Sequence, residues 1–303
     1  MSVHTEPSGI PHSAAALGGA SAGFFARMLT APLDVVKIRM QLDNAVKIRP
    51  GFIANTVRAI YREEGLKTFY RGNVPALILW IGYGVFQFTV VNTLKPVFLE
   101  HLPAEDLASF CAGGTAALSA TLITHPFDVL RTRFAGQGIP KVYTTMWGMV
   151  VGSGLRGMYA GLSPSLLNVV PSMGFSFAFY GLISRSIMKF DMNVGMTSLI
   201  SGGGAGFLTK ALLYPLDITK KRLQMQGLAR VEVTRCGETV QYKGLIDCLR
   251  KIVKYEGITS GLYKGFVPTT IKAIVSTSAV FVAYEHVSQW AISIQIPEIQ
   301  LWK

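Results

Sequence analysis

Three segments of the sequence place a proline, an acid and a base at one spacing: PLDVVKIR (32–39), PFDVLRTR (126–133) and PLDITKKR (215–222). The acid and the base are three positions apart, so both lie on one face of a helix. Ion pairs that break easily suit a latch between two conformations, although ordinary surface charges would look the same. We therefore expect a gate with these six charged residues: Asp34, Lys37, Asp128, Arg131, Asp217 and Lys220.

A second set of charges lies on the same helix faces, about two turns deeper in the apolar segments. Residues seven apart share a face, and the positions seven before Asp34 and Asp217 are Arg27 and Lys210. Lys272 in the last apolar segment lies at similar depth, and Glu285 is the acid left to offset the three. A surplus of about two positive charges among apolar residues is costly, which indicates a binding site unless the side chains extend to an interface.

Such a site suits an anion with two or three charges. Arginine binds phosphate oxygens in a fork and lysine acts as a point charge, so a pyrophosphate fits. Trp80, Tyr83 and Gln87 lie at comparable depth in the second apolar segment. Aromatic faces there would hold a cationic or aromatic ring, although aromatic residues in such segments more often pack or face lipid.

The segments that carry these residues read as membrane helices. Half of the 303 residues are hydrophobic and 15% are charged, against about 25% in soluble domains. Charge-free runs reach the length of about 20 residues that a bilayer requires. We predict an all-α membrane protein with six transmembrane helices, near 14–42, 73–97, 105–135, 162–187, 195–226 and 266–290.

These helices group into three tandem repeats because the motifs recur. The predicted repeats cover residues 13–99, 104–189 and 194–291. A second motif, Glu-Gly followed by Tyr-[Arg/Lys]-Gly, closes the segment that connects the two helices of the first and third repeats. In the second repeat Ser153 and Ala160 replace its charged residues.

The charge of the chain narrows its function further. The formal net charge is +12, but the apolar composition argues against nucleic acid as a partner. Most lysines and arginines lie within 37–71, 131–156 and 220–264, which the positive-inside bias places on one face of the membrane. No nucleotide-binding loop, nucleophile elbow or metal-binding spacing occurs, so an enzyme is disfavoured. A proton leak or an anion channel remains an alternative to a carrier.

The proline motif and the Glu-Gly motif, repeated along the chain, resemble those of the mitochondrial carrier family, and the resemblance covers residues 13–291. The resemblance implies a pseudo-three-fold bundle with short matrix helices, in the mitochondrial inner membrane, working by alternating access without a cofactor. Residues 125–143 and 214–227 are similar to the family's carriers of thiamine pyrophosphate, which implies this cargo. A nucleotide or coenzyme A is the alternative. We expect antiport by a monomer that binds cardiolipin.

The resemblance also implies roles for individual residues. With three-fold symmetry the gate pairs would be Asp34–Arg131, Asp128–Lys220 and Asp217–Lys37, braced by Gln41 and Gln224. Further cargo contacts would come from Leu79, Asn168, Val169 and Lys272. Pro32, Pro126 and Pro215 would bend the odd-numbered helices. The lipid-site candidates are Gly72, Gly161 and Gly265, because helix N-termini bind phosphates.

Overall fold

The chain folds as helices joined by short turns. The computed structural model describes residues 12–43, 51–102, 104–138, 143–187, 194–226 and 241–293, and the regular structure within them is helical. The helices are α1 (His12–Leu42), α2 (Phe52–Glu64), α3 (Asn73–His101), α4 (Glu105–Gly136), α5 (Met146–Met158), α6 (Leu162–Ile187), α7 (Val194–Met225), α8 (Leu245–Glu256), α9 (Ile258–Leu262) and α10 (Phe266–Ser293). A 3-10 turn, Leu66–Tyr70, precedes α3.

The long helices confirm the predicted all-α class. Helices α1, α3, α4, α6, α7 and α10 begin and end within a few residues of the predicted bounds. They could be predicted because long charge-free runs end at glycine and charge clusters. The three prolines lie inside α1, α4 and α7, which continue past them. The predicted bending at these prolines stays a prediction.

Three of the long helices are apolar enough to cross a membrane. By length and composition these are α3 with its preceding turn, α4 and α6, among the residues that the structure describes. On α3 and α6, Phe88 and Phe177 are 71% and 67% exposed. Both helices expose many other apolar side chains, among them Ile81, Leu167 and Leu182, and an extensive exposed apolar surface marks contact with a membrane or another protein.

The chain divides into two compact units. One contains α1 up to Asp34 and α10 from Pro268, and the other contains residues 35–267. Within the larger unit, α3 packs along α4, and α6 packs along α7.

The short helices of the larger unit cover the ends of the long ones. Helix α8 buries Cys248 and Ile252, four residues apart, against Ile218 and Leu223 of α7. Helix α5 packs Met149 and Met158 against the end of α4. These cores fix the ends of α4 and α7, where the motif charges lie.

Candidate functional site

Asp217 on α7 is held by two residues that the sequence analysis placed in the cargo site. The Asn168 amide donates to its Oδ1 at 2.9 Å, and Lys210 forms an ion pair with its other oxygen. Lys37, the predicted gate partner, interacts electrostatically with the same carboxylate. The Asp217 side chain is 16% exposed and that of Lys210 is 43% exposed. The carboxylate therefore connects the predicted cargo site with the predicted gate.

Asp34 has the same arrangement in the smaller unit. Arg27, seven residues before it on α1, lies 3.7 Å from its carboxylate. Lys272 of α10 donates to the same carboxylate. The side chains of Asp34 and Arg27 are 9% and 13% exposed, so little water screens this pair.

Asp128 is held by gate residues instead. Its carboxylate lies 2.9 Å from the Lys220 ammonium, the pairing expected from the repeat symmetry, and the role of this pair in a gate stays a prediction. The Gln224 amide donates to it at 2.7 Å, as expected of a brace. The sequence analysis missed Lys221, whose ammonium lies 3.0 Å from Asp128 and 2.8 Å from the Thr132 hydroxyl. In the sequence, Lys221 is visible as the second lysine of PLDITKKR, an extra base that the other two proline motifs lack at this position.

These contacts correct one part of the charge argument. We expected the gate acids to pair with the gate bases, so that Arg27, Lys210 and Lys272 would form a surplus of positive charge. Instead, these three residues contact gate acids. The sites are still electropositive. Among the described side chains, which do not include that of Glu285, Asp34 faces two cations. In the larger unit Asp128 and Asp217 are accompanied by five cations: Lys37, Arg131, Lys210, Lys220 and Lys221.

Gln41 differs from its predicted role as a brace. It is fully buried, and its amide donates to the Tyr214 hydroxyl at 2.9 Å rather than to an ion pair. That hydroxyl donates in turn to the Lys264 carbonyl at 2.8 Å. Gln41 therefore ties the end of α1 to α7 and to the turn before α10. Spacing alone could not identify Tyr214 as the partner.

The remaining predicted cargo contacts lie on α3 and α6. The Tyr83 hydroxyl lies near Thr121 on α4 and near Lys220 on α7. Leu79, Gln87 and Val169 are half-buried, and Trp80 is 46% exposed. The structure thus places Tyr83 and Asn168 beside gate residues. The contacts of the other four with cargo stay predictions.

The three glycines that precede α3, α6 and α10 have a structural role that the sequence analysis missed. Gly72, Gly161 and Gly265 have φ of 77°, 73° and 78°, a conformation that favours glycine. A Cβ atom at these glycines would lie 2.7, 2.9 and 3.3 Å from the carbonyl oxygens of Arg131, Lys220 and Lys37, respectively. Each turn therefore approaches the backbone of a gate base closely.

A second layer of ion pairs lies beyond the gate residues. In the third repeat Glu256 binds Arg222 at 2.8 Å and Lys264 at 2.8 Å. In the first repeat Glu64 binds Arg39 at 2.8 Å and also Arg71. Two features of the sequence indicate this layer. Each proline motif ends in an arginine, and the Glu-Gly motif supplies the glutamate in the first and third repeats.

The second repeat lacks this carboxylate. Arg133 is fully buried and donates to the Gln224 carbonyl at 2.8 Å, the Gly157 carbonyl at 3.1 Å and the Ser153 hydroxyl. Serine at position 153 thus leaves a buried guanidinium held by neutral acceptors among the described residues. This asymmetry follows directly from the motif difference in the sequence.

Comparisons with known proteins match the chain over three consecutive segments. The family model described as mitochondrial carrier protein matches residues 9–102, 104–191 and 194–294. The mitochondrial thiamine pyrophosphate carriers of Macaca fascicularis and Homo sapiens are 39% and 38% identical, each over 89% of this chain and 89% of the relative. The mitochondrial thiamine diphosphate carrier 2 of Zea mays is 36% identical, over 90% of this chain and 93% of the relative.

Proposed function

This chain belongs to the mitochondrial carrier family, and we propose that it transports thiamine pyrophosphate across the mitochondrial inner membrane in exchange for another phosphorylated anion. As a member of that family it is a transporter rather than an enzyme, and it resides in a mitochondrial membrane. The cargo is inferred from one observation: over about nine-tenths of its length, the chain is similar to relatives named for that compound.

The electropositive sites support this cargo. A pyrophosphate carries negative charge that would offset such a surplus of cations, and its proposed ligands are Arg27, Lys210 and Lys272. Trp80 and Tyr83 would contact the rings, and Leu79, Gln87, Asn168 and Val169 would complete the cargo contacts. Thiamine pyrophosphate joins both features, because its phosphates are anionic and its thiazolium is an aromatic cation.

Alternating access requires a gate that opens on each cycle. The gate would use the acids and bases of the three proline motifs, with Gln224 as a brace. The Asp128 cluster supports this role, since it links α4 to α7 through Lys220 and Lys221. Bending at Pro32, Pro126 and Pro215 would move the charged helix ends. A difference of a few kcal/mol between two states suffices for switching.

The membrane arrangement completes the proposal. All six long helices would span the inner membrane, with the basic connecting segments in the matrix. Cardiolipin would bind at the N-termini of α3, α6 and α10, which follow Gly72, Gly161 and Gly265, because the positive end of a helix dipole attracts a phosphate. The carrier would work as a monomer.

A competition screen in liposomes tests the cargo. The purified chain would be reconstituted with internal thiamine pyrophosphate, and uptake of labelled thiamine pyrophosphate would be measured against unlabelled thiamine pyrophosphate, ADP and coenzyme A. We expect thiamine pyrophosphate to compete best. Lys210→Ala should abolish uptake, whereas Lys243→Ala, which removes an exposed lysine at the surface, should not. Stronger competition by ADP or coenzyme A would contradict this cargo.

A further inference from the structure

The short connecting helices α2, α5 and α8 can be compared position by position. The Glu-Gly motif sets their register, because Ser153 of the second repeat matches Glu64 and Glu256 of the other two. Four residues before this position, each helix buries an apolar side chain against the end of a long helix: Ile60 on α2, Met149 on α5 and Ile252 on α8. The three helices therefore bury the same face and leave equivalent outer faces exposed.

The outer face of α5 is apolar where those of α2 and α8 are basic. Two and six residues before the glutamate, α2 and α8 carry four exposed bases: Arg58, Arg62, Arg250 and Lys254. On α5 the same two positions are Trp147 and Val151, which are 76% and 64% exposed. Leu155 follows the bend at Gly154 and is 81% exposed. Arg156 is the only charged residue in the sequence of α5, whereas α2 and α8 carry several.

A bilayer interface suits this outer face better than water does. Tryptophan is enriched at membrane interfaces, where its ring lies among apolar groups and its N–H bonds to water or headgroups. A turn at 159–161 joins α5 to α6, one of the three helices apolar enough to cross a membrane. The exposed apolar residues of α6 begin with Leu167, so the apolar surface continues along the chain from α5 into α6.

We propose that α5 anchors the second repeat in the bilayer interface, with Trp147, Val151 and Leu155 inserted among the lipids. The proposal rests on the membrane arrangement of the proposed function and adds a lipid contact that the first and third repeats lack. An interfacial helix buries its apolar face about 5–10 Å into the boundary between headgroups and acyl chains. Arg156 is exposed at the end of α5, and its long side chain would reach a lipid phosphate.

The inner face of α5 is also held differently from those of α2 and α8. Glu64 and Glu256 bind arginines of α1 and α7 through ion pairs. Helix α5 instead offers Arg133 of α4 the Ser153 hydroxyl and the Gly157 carbonyl. A neutral acceptor binds a guanidinium less strongly than a carboxylate does. Insertion of the outer face into lipid would offset this weaker attachment.

Spin labels at matched positions test how deeply α5 lies. With the native cysteines replaced by serine, a nitroxide would be attached to Val151→Cys, and to Arg62→Cys and Lys254→Cys as controls. The proteins would be reconstituted in liposomes, and electron paramagnetic resonance would measure access of oxygen, which concentrates among acyl chains, and of a water-soluble nickel complex. We expect the label on Val151→Cys to be more accessible to oxygen and less accessible to nickel than both control labels.

The other outcomes are distinct. A label on Val151→Cys that nickel reaches as readily as the controls would refute the anchor. Shielding from both probes would also refute it and would indicate a protein partner, and broadening of the spectrum by a second label would identify that partner as another copy of the chain. The same liposomes report exchange of thiamine pyrophosphate. A lipid-exposed label without exchange would refute the proposed function and leave the anchor in place.

Trp147→Phe gives a second measurement that keeps the native cysteines. Tryptophan emission would be recorded in liposomes with and without lipids that carry bromine on the upper acyl chain, because bromine quenches a nearby indole. The emission that Trp147→Phe lacks relative to wild type should be emission that the brominated lipid quenches and aqueous acrylamide does not. Quenching of that emission by acrylamide alone would contradict insertion.

Discussion

Glu256→Gln should destabilise the protein more than the matching change in either other repeat. Glu256 receives both Arg222 and Lys264, whose side chains are 2% and 1% exposed. Glutamine keeps the shape but removes the charge, so two buried cations lose their counter-ion. Lys264 also donates to the Asp43 carbonyl at 2.7 Å, which helps to hold its buried ammonium in place.

The expected magnitude follows from this burial. Removing one partner of a buried pair costs about 3–5 kcal/mol. Glu64→Gln in the first repeat should cost less, about 1.5–3 kcal/mol, because water reaches Arg39 and Arg71 at 13% and 14% exposure. Ser153→Ala removes one neutral acceptor from Arg133, which keeps its bonds to the Gln224 and Gly157 carbonyls, and should cost about 1–2 kcal/mol.

Thermal unfolding of the three purified variants in one detergent measures this order. The midpoint should fall most for Glu256→Gln, less for Glu64→Gln and least for Ser153→Ala. A Glu256→Gln protein that unfolds at the wild-type temperature would refute the assignment of this layer as a main source of stability. Equal shifts in all three variants would refute the argument from burial.

Three further changes test other parts of the structure. Gly161→Ala should lower the unfolding midpoint, because alanine disfavours φ of 73° and its Cβ would meet the Lys220 carbonyl at 2.9 Å; Gly181→Ala, which has open space, is the control. Burial raises the pKa of the Cys248 thiol from 9.0 to about 12, so it should resist maleimide at pH 8 until the protein unfolds, and rapid labelling would contradict this. Since the folded state favours the neutral thiol, its contribution to stability should decline between about pH 9 and pH 12, and Cys248→Ser should remove that part of the decline. Arg27→Ala should abolish uptake in liposomes while the protein still folds, and wild-type uptake would count against the site.

Much of the helical fold could be predicted because membrane-spanning helices have a simple sequence pattern. A bilayer core excludes charge, so the charge-free runs mark α3 and α6 closely. The motif glycines mark the starts of α3, α6 and α10. The Asp128–Lys220 contact followed from the repeat symmetry and was found at 2.9 Å.

Side-chain partners were harder to predict. Helical periodicity predicts which residues share a face of a helix, but it does not predict which atoms each side chain contacts. Lys210 and Asp217 were placed on one face, but a lysine side chain is long enough to span two turns and reach the acid. Gln41 was expected on an ion pair and contacts Tyr214, the residue directly before the third proline motif, to which the sequence assigned no role. The close approach of Gly72 to the Arg131 carbonyl depends on tertiary packing, which no spacing within one repeat contains.

The most direct test of the account is whether the chain performs strict exchange. Liposomes loaded with labelled thiamine pyrophosphate should retain the label in plain buffer and release it when unlabelled thiamine pyrophosphate is added outside. That result is expected of a gate that opens only with cargo bound. Release of label into plain buffer at the same rate would identify a leak and contradict a gated carrier.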